Sequence, residues 1–159
     1  MYSKKTLQHF RSPHNYGEIK NPDGVGQAGN IVCGDVMSLY LKLKKNSKGE
    51  DIIDQVKFKT YGCAAAIATS SAITDLVKGK TIDQAMKLGK NDIVEFLEGL
   101  PPIKIHCSLL AIDALSEAIY QYLIDHKKTI PVDLLVKHER IKKGREQIEE
   151  RYKKWMKNQ

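Results

Sequence analysis

From Asp35 onward hydrophobic and polar residues alternate. Met37, Leu39, Leu41 and Leu43 share one side and Ser38 and Lys42 the other, the period-two signature of a half-buried strand. Asn46-Ser47-Lys48-Gly49 reads as a turn; beyond it Val56 and Phe58 fall on one face of a second strand and Lys57 and Lys59 on the opposite face. The two predict an antiparallel hairpin, which sets the residues before the first strand beside those after the second. The pattern then becomes helical. Ala64 to Val77 is rich in small residues that permit close packing, Thr81 with Gln84 forms a capping box for a short helix ending near Gly89, and Asp92 to Glu98 fits another ending at Gly99. Pro101-Pro102 forbids continuation, and a long amphipathic helix is expected from about Ser108, with Leu109, Ile112, Leu115, Ile119 and Tyr122 on one stripe. Upstream, Thr6 to Phe10 is a short helix and Pro13 to Gly29 an extended loop. The last segment starts at Pro131, a good first helical residue, and carries Ile141, Ile148 and Trp155 at seven-residue spacing. Its narrow stripe, interrupted by Gly144, suits weak packing on the body or association with another copy.

The 159 residues, 42% hydrophobic, suffice for one ordinary domain with a real core. No apolar run approaches membrane-spanning length on this reading, so no membrane association is expected. The net charge of +7 is unevenly spread. Residues 127–159 hold 11 basic and 5 acidic residues against 15 and 14 in the rest, which divides the chain into a body, 1–126, and a basic helical extension, 127–159. That extension is mixed in sign and carries no binding motif, so a solvated helix accounts for it better than a nucleic-acid module.

Three cysteines sit in short polar signatures: Cys33 before Gly34-Asp35, Cys63 after Tyr61-Gly62, and Cys107 after Leu100-Pro101-Pro102-Ile103-Lys104-Ile105-His106. A lone intracellular thiol is most often a small core hydrophobe, but these are loop settings. An odd count argues against structural disulfides, and nothing in Met1 to Phe10 resembles a secretory signal, so the expected compartment is the reducing cytoplasm. The hairpin brings Cys33, Asp35 and Cys63 to one sheet edge. Cys63 and Cys107 both fall near helix N-termini, where unpaired N–H groups favour the thiolate. Three thiols, a carboxylate and an imidazole make a soft, incomplete metal shell. The other histidines, His9, His14, His126 and His138, are read as surface or packing residues.

These signatures, with Asn21-Pro22-Asp23-Gly24-Val25-Gly26, resemble the iron–sulfur cluster assembly scaffolds of the IscU type, also found as the N-terminal domain of NifU, over roughly Tyr2 to Asp125. The resemblance implies an α+β fold, a small, mainly antiparallel sheet with helices packed against it, whose cysteine loops gather at one end. It implies that a [2Fe–2S] cluster is built there from iron and from persulfide sulfur delivered by a cysteine desulfurase, then handed to apo-proteins; a [4Fe–4S] cluster across a homo-oligomer is a further state. Carried over as ligands are Cys33, Asp35, Cys63, His106 and Cys107. The Leu100, Pro101, Pro102, Ile103, Lys104 run looks like the family's segment for Hsp70 and J-protein chaperones. Ala64 stands where the family commonly has a second glycine, and the basic tail is longer than usual.

The chemistry agrees. Permanent clusters usually have four cysteines or two paired with two histidines, so three thiols leave one position to the weaker Asp35 or His106, which suits a carrier and would harm a redox protein; the chain is read as a scaffold and carrier, not an enzyme. In an extended loop the neighbouring His106 and Cys107 side chains diverge, leaving Cys107, projected from the surface, to accept the persulfide while His106 holds the metal. The rival reading is a zinc protein or zinc enzyme using the same set, with zinc as the substitute ion. Colour separates the two, since zinc is spectroscopically silent.

Overall fold

The computed structural model describes residues 1–30 and 34–158. Helix α1 (Lys4–Arg11) leads to strands β1 (Gly24–Gly29), β2 (Val36–Lys45) and β3 (Asp51–Tyr61). Helices α2 (Ala64–Val77), α3 (Ile82–Met86) and α4 (Lys90–Phe96) follow, then a 3-10 turn (Pro102–Lys104), α5 (His106–Asp125) and α6 (Val132–Lys157). The strands form one antiparallel sheet in the order β1-β2-β3, with α2 and α5 packed against it and against each other. The fold is α+β, as expected.

The β2–β3 hairpin is the alternating segment made real. Met37, Leu39 and Leu41 from β2 and Val56 and Phe58 from β3 are buried on one face. A register shift between Lys42 and Leu43, where Lys42 faces Gln55 and Leu43 faces Ile53, places an extra residue on β3. Ile53 therefore also points into the core although it has the opposite parity to Val56.

The expected loop from Pro13 to Gly29 is in part a strand. Gly24-Val25-Gly26-Gln27-Ala28-Gly29 pairs with Leu41 to Val36. Its glycines, which read as loop residues in sequence, lie where the α5 backbone crosses the sheet. A Cβ on Gly26 would stand 2.1 Å from the Ala114 carbonyl oxygen, and one on Gly24 2.4 Å from that of Ala118. The outer edge of β3 is covered upstream, where Phe58 donates its N–H to Asn15 and accepts from Gly17.

Helix α5 begins two residues before the expected Ser108, at His106. Leu109, assigned to its buried stripe, is exposed, because α2 and the sheet together bury a broader face made by Leu110, Ala111, Ile112, Ala114, Leu115, Ala118 and Ile119. The span from Pro102 to Asp125 is long and apolar enough to cross a membrane, which corrects the earlier expectation; 72% of its 18-residue apolar stretch is buried inside the fold, as in a central core helix. The Thr81–Gln84 capping box closes in both directions, at 3.0 and 3.2 Å.

Helix α6 packs on α5 through Leu134 and Ile141. The His138 ring stacks on Tyr120 with centroids 3.7 Å apart and bonds both Glu117 carboxylate oxygens at 3.0 Å, and Arg140 pairs with Asp113 at 2.8 Å. Beyond Ile148 its apolar residues, Tyr152, Trp155 and Met156, are exposed, so the seven-residue stripe meets the body only in its first half.

Asp51 ties the start of β3 to the end of α5. Burial works to raise its pKa, but hydrogen bonds from Lys128, Lys45 and Tyr122 outweigh it and keep the carboxyl well below the usual carboxylate range. A depressed folded-state pKa gives stability that is present above the unfolded value of about 3.9 and lost as pH falls below it. Asp51→Asn is thus expected to destabilise the protein by on the order of 1 kcal/mol at pH 7, and the gap from wild type in urea midpoints should begin to narrow as pH is lowered from about 5 to 3, closing only below the folded-state pKa. An equal gap at both ends of that range would exclude this role.

Candidate metal centre at the thiol end of the fold

Cys63 is the N-cap residue of α2, and its side chain makes no capping bond. The sulfur instead meets the Asp35 carboxylate and the Cys107 sulfur. Gly62 lets the loop close. A Cβ there would meet Ala66 Cβ at 2.8 Å and Asp35 Cγ at 3.0 Å, so a larger residue would push the Cys63 loop off the carboxylate. Ala64, at the first helical position, lies inside α2, where a Cβ is no obstacle.

Asp35 precedes β2 and is buried. It is fixed by its backbone, its carbonyl accepting from Asn30 N–H at 2.9 Å, while the Gly34 N–H reaches the Asn30 carbonyl at 2.8 Å. Gly34 has φ 74, a conformation that glycine adopts without strain. From there the carboxylate accepts from the Cys63 thiol at 3.7 Å. Cys33 lies outside the described residues.

His106 and Cys107 open α5. The expected extended loop, with diverging side chains, is instead the first helical turn, where Cys107 Sγ lies 3.6 Å from His106 Nε2. Cys107 does not project from the surface: it is 1% exposed, packed in a small apolar cluster with Ala65 and Ala66 and bordered by Tyr2, Cys63 and Leu100. Thr69 Oγ1 donates towards the Cys107 carbonyl at 3.2 Å, tying the starts of α2 and α5 together.

The result is a convergence of donors from three elements. Cys63 Sγ and Cys107 Sγ are 3.7 Å apart. Two thiolates on one tetrahedral ion with bonds of about 2.3 Å would be separated by about 3.8 Å, so both can ligate one ion where they stand. Asp35, His106 and Cys107 offer donor atoms all within 4.8 Å of one another. Sulfur, imidazole nitrogen and carboxylate oxygen together suit iron, an iron–sulfur cluster or zinc. Lys104 faces the same thiols: Cys63 above all, with Tyr2 and Cys107, raises its pKa above the ordinary lysine value. Of the Leu100–Lys104 run, Ile103 is 79% exposed in the 3-10 turn while Leu100 packs against the core. Sequence reasoning missed Tyr2 and Gly62; the Tyr-Gly-Cys spelling signalled only the latter.

Residues 1–129 match the NifU-like N terminal domain family. The chain is 52% identical over 122 residues to "Iron-sulfur cluster assembly scaffold protein IscU 1" of Archaeoglobus fulgidus, covering 77% of this chain and 76% of that protein. It is 48% identical over 124 residues to the IscU scaffold protein of Escherichia coli K12, covering 76% of this chain and 93% of that one. In structure it resembles the N-terminal region of a nitrogen-fixing NifU-like protein from Brucella abortus in fold, with TM-score 0.57 and 22% identity over 76% of this chain and 92% of the other. A family match over residues 1–129, joined to relatives about half identical to this chain over three quarters of its length, places this protein in the NifU-like N-terminal domain family.

Proposed function

We propose that the chain is a scaffold on which an iron–sulfur cluster, [2Fe–2S] first, is assembled from iron and desulfurase-derived sulfur and then passed to apo-proteins. The observation that carries this reading is the convergence of Cys63, Cys107, Asp35 and His106 at one end of the fold, in a chain whose relatives are named as assembly scaffolds. The cluster is cargo. Cys63 and Cys107 hold it, Cys33 is the third thiolate, one residue from Gly34, and Asp35 or His106 fills the remaining position as the weak, exchangeable ligand. A [4Fe–4S] cluster would need ligands from a second copy. Residues 1–126 make up the scaffold unit and 127–159 an accessory extension. Partners are a cysteine desulfurase, apo acceptor proteins, and Hsp70 and J-protein chaperones that engage Leu100 to Lys104, reaching Ile103 first and Leu100 only when the segment lifts.

Cys107 is assigned the sulfur-accepting step. Its thiolate attacks the outer sulfur of the desulfurase persulfide, the S–S bond breaks, the desulfurase cysteine leaves as thiolate, and Cys107 carries the new persulfide. Its burial among Ala65, Ala66, Tyr2 and Leu100 requires that packing to open first.

The test is anaerobic reconstitution with iron, cysteine and a desulfurase, followed by visible absorption, transfer to an apo-ferredoxin, and mass spectrometry of persulfides trapped at early times. The expected result is a brown, transferable cluster preceded by persulfide on Cys107 and lost in Cys107→Ser. A colourless protein that binds only zinc would favour the rival zinc reading. Persulfide on the more accessible Cys63 would move the accepting role there.

A further inference from the structure

A second group of metal-ligating side chains lies at the other end of α2. Cys63 caps the start of that helix, and Asp75 lies twelve residues further on, about 18 Å along the axis at 1.5 Å per residue. Opposite Asp75 stand His9, from the last turn of α1, and His14, from the segment that follows. One donor atom from each of His9, His14 and Asp75 falls within 4.8 Å of the others. The rings of His9 and His14 are 4.6 Å apart between centroids, in a recess also lined by Lys5, Gln8, Arg11, Ser12 and Phe96.

We propose that His9, His14 and Asp75 form a thiol-free site for a divalent first-row transition metal, distinct from the cluster-binding end.

Two imidazoles and one carboxylate with open positions are a donor set that such ions take up. Tetrahedral bonds of about 2.0–2.2 Å set neighbouring donors about 3.4 Å apart, so the wider-spaced donors, all within 4.8 Å of one another, would draw in by up to about 1.4 Å while the 2.6 Å contact between His14 and Asp75 opens to admit the ion. The surroundings orient them. His9 Nδ1 is 2.7 Å from Ser71 Oγ, which also accepts the His14 backbone N–H at 2.8 Å, and His14 Nδ1 lies 2.6 Å from Asp75 Oδ2. The edge of Phe96 packs on His9 with ring centroids 5.6 Å apart. Such partners, which fix ring orientation, accompany metal-ligating histidines. His14 is 55% exposed, which leaves an entry path. Lys5, with its ammonium 3.7 Å from the Phe96 centroid, and Arg11 add positive charge nearby and make this the weaker of the two sites.

The experiment is titration of the full chain with Co²⁺ or Zn²⁺ under reducing conditions, followed by calorimetry, absorption and histidine NMR. Wild type is expected to take up two equivalents. The variant with Cys33, Cys63 and Cys107 all replaced by serine should keep one, whose Co²⁺ spectrum lacks thiolate charge-transfer bands and whose NMR signature falls on His9 and His14. Adding His14→Ala or Asp75→Asn to that background should weaken this equivalent by about 100-fold or more, since even loss of an outer partner costs about 10–100-fold. Circular dichroism checks folding, which an exposed His14 does not control. A triple-serine variant that binds no metal, or one whose equivalent survives His14→Ala, would leave the cluster as an ordinary ion pair and overturn the proposal. The cluster-scaffold reading stands or falls separately, because the second site is read out with all three thiols removed.

Discussion

A single methyl group at position 26 is expected to bring this protein close to unfolding. In Gly26→Ala the new Cβ would lie 2.1 Å from the Ala114 carbonyl oxygen, 2.3 Å from the Ala118 nitrogen and 2.9 Å from the Glu117 carbonyl carbon. All three are backbone atoms of the central helix, so no side-chain rotation relieves the clash, and either β1 or α5 must shift. Overpacking a core commonly costs about 1–3 kcal/mol; with rigid backbone on both sides the cost here should exceed about 3 kcal/mol, against a total of about 5–15 for an ordinary domain. The check is the urea midpoint, with Gly29→Ala as the control on the same strand, because a Cβ there meets nothing closer than 3.7 Å. The control should change stability by less than about 1 kcal/mol. Since α5 also carries His106 and Cys107, Gly26→Ala should impair cluster retention as well. Equal midpoints for Gly26→Ala and wild type would refute the close packing of β1 on α5.

The second large effect separates holding from release. Cys63→Ser should abolish stable cluster binding while leaving the fold intact, because Cys63 is half-buried at a helix start and its sulfur is not needed as a cap. Serine keeps the shape but replaces a soft thiolate with a hard hydroxyl that iron and sulfide clusters bind poorly. Asp35→Ala should act in the opposite sense. Removing the carboxylate that contacts Cys63 at 3.7 Å takes away a competing oxygen ligand and slows cluster loss and transfer, by roughly tenfold if the carboxylate contributes about 1.4 kcal/mol to release. The measurement is decay of visible absorption after reconstitution, with and without an apo acceptor. Loss of assembly in Asp35→Ala as complete as in Cys63→Ser would make Asp35 an essential ligand instead of a release handle.

What was legible in the sequence was local. Alternation fixed the β2–β3 hairpin, Thr81 and Gln84 fixed a cap, and Pro101-Pro102 fixed a break, because each rests on interactions within a few residues. The hairpin also brought Asp35 and Cys63 together, since antiparallel pairing sets one strand's start beside the next one's end. Three features belonged to the tertiary structure. β1 read as a loop because its glycines answer to the α5 backbone, which is remote in sequence. The β3 bulge that turns Ile53 inward depends on pairing with β2. Cys107 is buried, and its sulfur meets His106 and Cys63, because α5 starts two residues early and packs on α2, whereas sequence neighbours alone suggested an exposed loop. The same long-range packing set His9 and His14 against Asp75. The sequence by itself determined which donor chemistries are present and which segments form the hairpin and most of the helices; only helix-on-sheet packing decided which donors meet, because convergence depends on distances through the core and not along the chain.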